Sequence, residues 1–236
     1  MQLKNKKVVV IGGSSGIGKA IAKTAIQNDA NVIIIGRSLD KLQQTATEIG
    51  GNIQTLSLDI TDTNAVNKSF SEIGAIDHLV ISGYHAQSGS FNDLDFQQAK
   101  NSFDQKFWAI YAVAKYAQVN STGSIIFFSG LFTRKPSKGY STISIVNGAI
   151  EAFARYLAIE LSPIRVNVIS PGLTDTPAYS GMPAEMRQAY FENLKNSLPA
   201  KKIGQSEDIA NLALMMMTNT YLTGTIIDID GGAMLT

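Results

Sequence analysis

The stretch "VVVIGGSSGIGKAIAKTAI" sets Gly12, Gly16 and Gly18 directly after an apolar run and at the head of a helical pattern. Glycines in that place let backbone N–H groups approach a phosphate closely, and the N-terminus of the following helix adds a favourable field for an anion. The chemistry this predicts is capture of a nucleotide pyrophosphate, with reactivity borrowed from the bound molecule. The rest of the repertoire narrows the choice. The chain has no cysteine, which removes disulfides, thiolate metal sites and a thiol nucleophile together. Its 2 histidines, His78 and His85, are too few for a histidine-rich metal cluster, so no metal site is expected.

A phosphate loop needs a strand that ends at it and a helix that starts from it, and the chain supplies that alternation throughout. Short β-rich runs begin at Val8 ("VVVI"), Asn31 ("NVIII"), Ile53 ("IQTLSL"), His78 ("HLVIS"), Ser124 ("SIIFFS"), Ile164 ("IRVNVIS") and Thr225 ("TIIDI"). Between most of them lie segments with apolar residues at helical spacing, such as Ala20, Ile21 and Ala25, then Leu42, Ala46 and Ile49. Strand–helix alternation of this kind predicts an α/β fold, a doubly wound, parallel, seven-stranded Rossmann sheet with helices on both faces. At 236 residues and 44% hydrophobic composition, residues 1–236 fit one domain. The irregular segment 173–197, bracketed early by Pro177 and Pro183, follows the sixth strand at the end of the sheet where ligands bind, and is a candidate substrate lid.

A net charge of +1, from 20 Lys plus Arg against 19 Asp plus Glu, gives no electrostatic reason to invoke nucleic acid or an anionic membrane. The apolar run after "MQLKNKK" is too short for a signal-peptide core, and "LALMMM" falls well short of the roughly 18 residues of a membrane helix. A soluble, cytoplasmic protein whose partners are small molecules or copies of itself is expected.

With these residues in view, the spacing G-x-x-x-G-I-G resembles that of the short-chain dehydrogenase/reductase family, and further motifs extend the resemblance over nearly the whole chain. Asp59 in "LSLDIT" matches an aspartate that hydrogen-bonds adenine, Pro171 and Gly172 in "VNVISPG" match a Pro-Gly after the sixth strand, Thr176 matches a threonine that meets the nicotinamide amide, and "YLTGTIIDIDGG" resembles the closing strand. The resemblance implies a nicotinamide cofactor held by Gly12, Ser14, Ser15, Gly16, Ile17 and Gly18, by Asp59 and Ile60, by Ser82 and Gly83, and by Asn147, Pro171, Gly172 and Thr176. After the second strand, Gly36 stands where NAD-preferring relatives carry an acid, and Arg37 and Ser38 follow. A guanidinium there pairs with a 2′-phosphate in fork geometry, so NADP(H) is the expected cofactor. Relatives commonly pair through two long helices and the C-terminal strand, which implies a homodimer or homotetramer.

The family's catalysis rests on Asn, Ser, Tyr and Lys, and here all four positions differ. Aligned on "GSIIFFSG" and "NGAIEAFARYLAIEL", the serine position is Gly130, the tyrosine Ile143 and the lysine Asn147, while "FDQKFWAIY" puts Lys106 at the asparagine. Asn-Asn-Ala-Gly after the fourth strand has become Ile81, Ser82, Gly83 and Tyr84. Two readings stand open. In one the acid/base group is rebuilt: Tyr140, Ser144 and Asn147 share a helix face, so Tyr140 offers its phenol about one turn (roughly 5.4 Å) from the usual place, and Lys106 lowers its pKa. In the other the chemistry is abandoned: Pro136 and Gly139 delay the helix until Ser141, Tyr140 and Lys106 are ordinary surface residues, and the chain is a non-catalytic NADP(H)-binding regulatory or partner protein. His85, in the loop after the fourth strand, is the second candidate acid. His78 reads as structural or solvated, Ser129 as a poor stand-in for the missing serine, and Met215 to Met217 as packing. The favoured reading is an oxidoreductase acting on a small carbonyl or alcohol substrate.

Overall fold

The computed structural model describes residues 2–83 and 87–236. Strands β1 (Lys7–Ile11), β2 (Asn31–Gly36) and β3 (Ile53–Ser57) alternate with helices α1 (Gly16–Gln27), α2 (Leu39–Ile49) and α3 (Thr63–Ile73). After β4 (Ile76–Ile81) come α4 (Phe96–Ser102), a π-helical turn at Phe103–Trp108, and α5 (Ala109–Tyr116). The second half runs β5 (Val119–Phe128), α6 (Ser141–Glu160), β6 (Arg165–Pro171), β7 (Thr174–Asp175), α7 (Ala184–Ser197), β8 (Gly204–Gln205), α8 (Ser206–Thr218) and β9 (Ile226–Ile229).

Seven strands form one parallel sheet in the order β3-β2-β1-β4-β5-β6-β9, as the alternation predicts. Because both faces are covered, β1, β2, β4 and β5 each carry a run of consecutive apolar residues, and the period of two sorts their side chains between two cores. Val9, Ile11, Leu79, Ile81 and Phe127 pack with Phe70 of α3, Val113 of α5 and Ile150 of α6. Val8, Val10, Val80, Ile126 and Phe128 pack with Ile21 of α1, Leu42 of α2 and Met216 of α8. The Met run is thus mainly packing: Met216 and Met217 are buried, and Met215 is exposed. No helix among the described residues is long and apolar enough to cross a membrane.

Chain order reverses between β1 and β4, which opens a crevice at the strand ends where the glycine loop lies. The segment after β6 is more ordered than its Pro and Gly content implies. β7 pairs in parallel with β8, a short turn covers Pro177–Tyr179, and α7 follows with no buried residue along its 14 positions. That helix lies on the protein without joining either core.

Candidate functional site

The glycine loop is built by close approach. Gly12 has φ of 76° and Gly16 φ of 51°, a backbone region that favours glycine. A Cβ on Gly12 would lie 2.3 Å from the Ser82 carbonyl oxygen, and one on Gly18 would lie 2.2 Å from the carbonyl oxygen of Gly12. Ser82 sits below, its N–H donating to the Ile11 carbonyl at 3.0 Å. Helix α1 begins at Gly16 without a side-chain cap from Ser15 and without an acid in its first turn. By contrast Ser38, Asp62 and Asp95 cap α2, α3 and α4 with their side chains. The first amides of α1 therefore remain available to an anion. Across the loop, Thr176 and Pro177 approach Gly16, within 3.5 Å of where its Cβ would be.

At the adenine side, Arg37 and Ser38 are exposed at the end of β2. The Asp59 carboxyl is held below its usual range, chiefly by the Thr61 backbone N–H and hydroxyl and further by the Arg37 charge, so Arg37 and Asp59 flank one corner. The Ser57 hydroxyl donates to the Arg37 carbonyl and fixes the backbone there. Opposite, Gly172 approaches Asp230 so closely that a Cβ would meet the Asp230 Cα at 2.6 Å. The Asp230 carboxylate accepts from the N–H groups of Gly232 and Met234, both at 2.8 Å, which locks the closing Asp-Gly-Gly turn under the Pro171–Gly172 loop. An open helix N-terminus, a crowded glycine loop and an exposed guanidinium suit a dinucleotide with a phosphorylated ribose.

At the aligned tetrad positions, two residues meet. Lys106, on the π-helical turn and 7% exposed, donates from Nζ to Asn147 Oδ1 at 2.6 Å. The ammonium can only donate, so Asn147 must give it the carbonyl oxygen and turn its NH₂ the other way. That NH₂ lies toward Gly130, where a Cβ would be 3.2 Å from Nδ2, so the glycine leaves the amide room. The exchange of residues is reciprocal: one ammonium and one carboxamide are present, on opposite elements from those in the family pattern. Burial lowers the Lys106 pKa to about 8. Gly130 and Ile143 carry no titratable group, so Lys106 is the one titratable residue of the four.

Tyr140 stands elsewhere. The helix begins at Ser141, and Tyr140 precedes it with φ of −121°, accepting the Ser144 N–H at its carbonyl. Its phenol is therefore not on the helix face that carries Ser144 and Asn147. The ring stacks on Phe132, centroids 4.1 Å apart. Among the described residues Tyr140 and Lys106 share no hydrogen bond; one joins Asn147 and the other joins rings. Ser129, set aside as a stand-in, donates to Glu151 Oε1 at 2.8 Å. His78 is buried with its pKa lowered to about 4, first by burial and then by the Arg165 charge, and its Nδ1 lies 2.9 Å from Ser124 Oγ, which makes it structural. His85 and Tyr84 fall outside the described residues.

One network had no signal in the sequence. Arg134, just after β5, donates through NH1 to both Glu151 oxygens at 2.7 Å and through NH2 to Ser170 Oγ at 2.7 Å, and it also pairs with Asp228. Glu151 is 4% exposed. The guanidinium thus pins the segment before Tyr140 to α6, β6 and β9, partners that no local spacing rule connects.

A family model described as enoyl-(acyl carrier protein) reductase matches residues 11–234. A short-chain dehydrogenase/reductase of Stachybotrys chlorohalonatus is 34% identical across 99% of this chain and 98% of its own. The 3α-hydroxysteroid dehydrogenase of Mediterraneibacter gnavus is 31% identical across 99% and 98%. Among solved structures, a small-chain dehydrogenase in complex with NADPH is 39% identical with a TM-score of 0.84, covering 99% of this chain and 100% of that one.

Proposed function

We propose that this chain, which belongs to the short-chain dehydrogenase/reductase family, is an NADP(H)-dependent oxidoreductase of small carbonyl or alcohol substrates that uses a non-standard acid/base group. The cofactor supplies the hydride. The chain's residues hold it and manage the proton. Gly12, Ser14, Ser15, Gly16, Ile17 and Gly18 with the start of α1 bind the pyrophosphate; Arg37 and Ser38 take the 2′-phosphate, and Asp59 and Ile60 the adenine. Ser82, Gly83, Pro171, Gly172 and Thr176 line the nicotinamide side. Asn147, its carbonyl taken by Lys106, offers its NH₂ to a ribose hydroxyl.

Lys106 is assigned the acid/base role. An ammonium with a pKa near 8 matches the pH at which it would work, and a positive charge in a dry cleft stabilises the alkoxide that develops on a carbonyl oxygen. The observation that carries the reading is the 2.6 Å contact of a buried lysine with a neutral carboxamide, its one hydrogen-bond partner among the described residues. Burying an ammonium without a counter-ion costs several kcal/mol, and an apolar side chain would fill the same place without that cost. One observation favours the second reading, a non-catalytic NADP(H)-binding partner: no hydroxyl stands at Gly130 or Ile143.

NADPH consumption against aldehydes, ketones and quinones, with NADPH binding followed by fluorescence in the same samples, separates the two. Turnover that disappears in Lys106→Met while NADPH still binds is the expected result. Tight NADPH binding with no turnover across the panel would favour the binding protein.

A further inference from the structure

Gly130 leaves an opening that its backbone does not require. Its φ of 172° is extended backbone that any residue adopts. Apart from the adjacent residues, a Cβ there would find one neighbour within 4 Å among the described residues, Asn147 Nδ2 at 3.2 Å. The glycine is half-buried while Asn147 is 2% exposed, so the amide forms the inner wall of the opening. The two sides are tied together. Thr133 Oγ1 donates to the Gly130 carbonyl at 3.2 Å, and Ser144 Oγ, on α6, lies 2.9 Å from the carbonyl oxygens of both Phe132 and Tyr140.

The same bonds use up the hydroxyl donors on the flanking segments. A hydroxyl has one proton to give. Ser129 gives its proton to Glu151, Thr133 to Gly130, and Ser144 to the carbonyls before α6. Ile143, one turn before Asn147, adds no polar atom to that face of α6. Asn147 is different. The Lys106 ammonium fixes its carbonyl oxygen, so its two N–H bonds remain, and neither reaches an acceptor among the described residues. Because Oδ1 and Nδ2 belong to one planar group and the lysine contact is 2.6 Å, Lys106 Nζ and Asn147 Nδ2 lie within about 5 Å of each other. One oxygen between them can accept from both at ordinary hydrogen-bond length.

We propose that Asn147 is a catalytic residue: one N–H of its carboxamide, in the opening left by Gly130, donates to the carbonyl or alcohol oxygen of the substrate beside the Lys106 ammonium. The other N–H serves the ribose. This assignment rests on the oxidoreductase reading, and it puts an amide donor where no hydroxyl stands. Asn147 transfers no atom; the proton comes from Lys106. A fixed donor in a dry site stabilises the charge that develops on the oxygen more than it stabilises the neutral carbonyl, so the contact acts on kcat.

Two measurements test it. The first needs no turnover: the side-chain amide proton pair of Asn147, identified in heteronuclear NMR spectra by its loss in Asn147→Asp, is followed as acetone is titrated into the protein with and without saturating NADP⁺. One proton of the pair moves downfield and saturates in both states, and in Gly130→Ala, whose Cβ crowds the amide, neither proton responds. The second measures kcat on any aldehyde, ketone or quinone that the wild-type protein reduces. Asn147→Asp keeps an oxygen for Lys106 but has no N–H, and it lowers kcat about a hundredfold with KM moving far less. Adding Gly130→Ser supplies a hydroxyl from the other side of the opening and recovers about tenfold. An amide pair that acetone does not move, a kcat that Asn147→Asp leaves unchanged, or a loss that the serine does not recover overturns the proposal. The two readings fail separately. NADPH binding without turnover of any panel compound refutes the oxidoreductase reading, and the acetone titration still decides the Asn147 contact. Wild-type turnover with an amide pair indifferent to acetone refutes the Asn147 contact alone.

Discussion

Lys106 sets stability and activity against each other as pH rises. Burial draws its pKa from 10.5 to about 8, so the native chain releases this proton before the unfolded chain does. Between those values the unfolded state holds more protons, and stability rises with pH by a total of about 3 kcal/mol from this group. The acid/base role has the opposite sign, because the ammonium form is lost over the same range. We expect kcat/KM for carbonyl reduction to fall above about pH 8 while resistance to denaturant increases. Lys106→Met removes the alkaline gain in stability and lowers kcat by about a hundredfold or more. A kcat/KM profile that stays level well above pH 8 would rule out the ionisation. At the other end of the cleft, Arg37→Ala weakens NADPH binding by about 10- to 100-fold, the worth of a charge-assisted bond, and leaves NADH nearly unchanged. Equal losses in paired titrations would remove the 2′-phosphate from the Arg37 assignment. Both residues are legible in sequence as types at positions, since Arg37 follows a strand end and Lys106 occupies a tetrad position. Their partners are not legible: Lys106 and Asn147 lie 41 residues apart, and a π-helical turn that no periodicity announces carries Lys106.

Elements differ in how clearly their sequence declares them, and the reason is physical. β1, β2, β4 and β5 carry apolar runs because both faces of the sheet are buried, and α1 is marked by glycines that its backbone requires. β7 and β8 are two residues long, too short for any alternation to register, and α7 lacks an apolar stripe because it buries nothing. In the loop between β5 and α6, Arg134 makes the ion pairs, and the one with Asp228 spans 94 residues of sequence. Removing Arg134 leaves the buried Glu151 carboxylate without its counter-charge. Arg134→Ala is therefore expected to cost about 3 kcal/mol in denaturant unfolding, and adding Glu151→Gln to recover a large part of that loss. Additive losses from the two substitutions would mean that Glu151 does not depend on Arg134.

The whole molecule leaves one face unfinished. Along α6, Ile145, Tyr156 and Ile159 repeat at helical spacing and all point outward, Ile159 being 81% exposed. Beside them at the end of the π-helical turn, Trp108 is 53% exposed and packs edge-on against Phe107, while Tyr111 of α5 stacks on Phe153 of α6 at 4.9 Å. The inner sides of both helices belong to the core built on β4 and β5, so their outer sides gain nothing from folding alone. An aromatic and aliphatic stripe of this kind is larger than scattered surface apolar residues and marks an interaction surface. A two-fold pairing of α5 and α6 with the same helices of a second copy is self-complementary, and it buries the stripe from both chains at once. The position of the stripe also matters for the site, because the outer side of the same π-helical turn carries Trp108 and its inner side carries Lys106. We therefore expect a homodimer at micromolar concentration by light scattering. Tyr156→Glu combined with Ile159→Glu should convert it to a monomer with unchanged far-ultraviolet circular dichroism. The dissociated chain should still bind NADPH, since the glycine loop lies beyond β1 on the opposite half of the sheet. Turnover should fall as the turn bearing Lys106 loses its outer support. A wild-type protein that remains monomeric at high concentration would leave this stripe without a partner of its own kind.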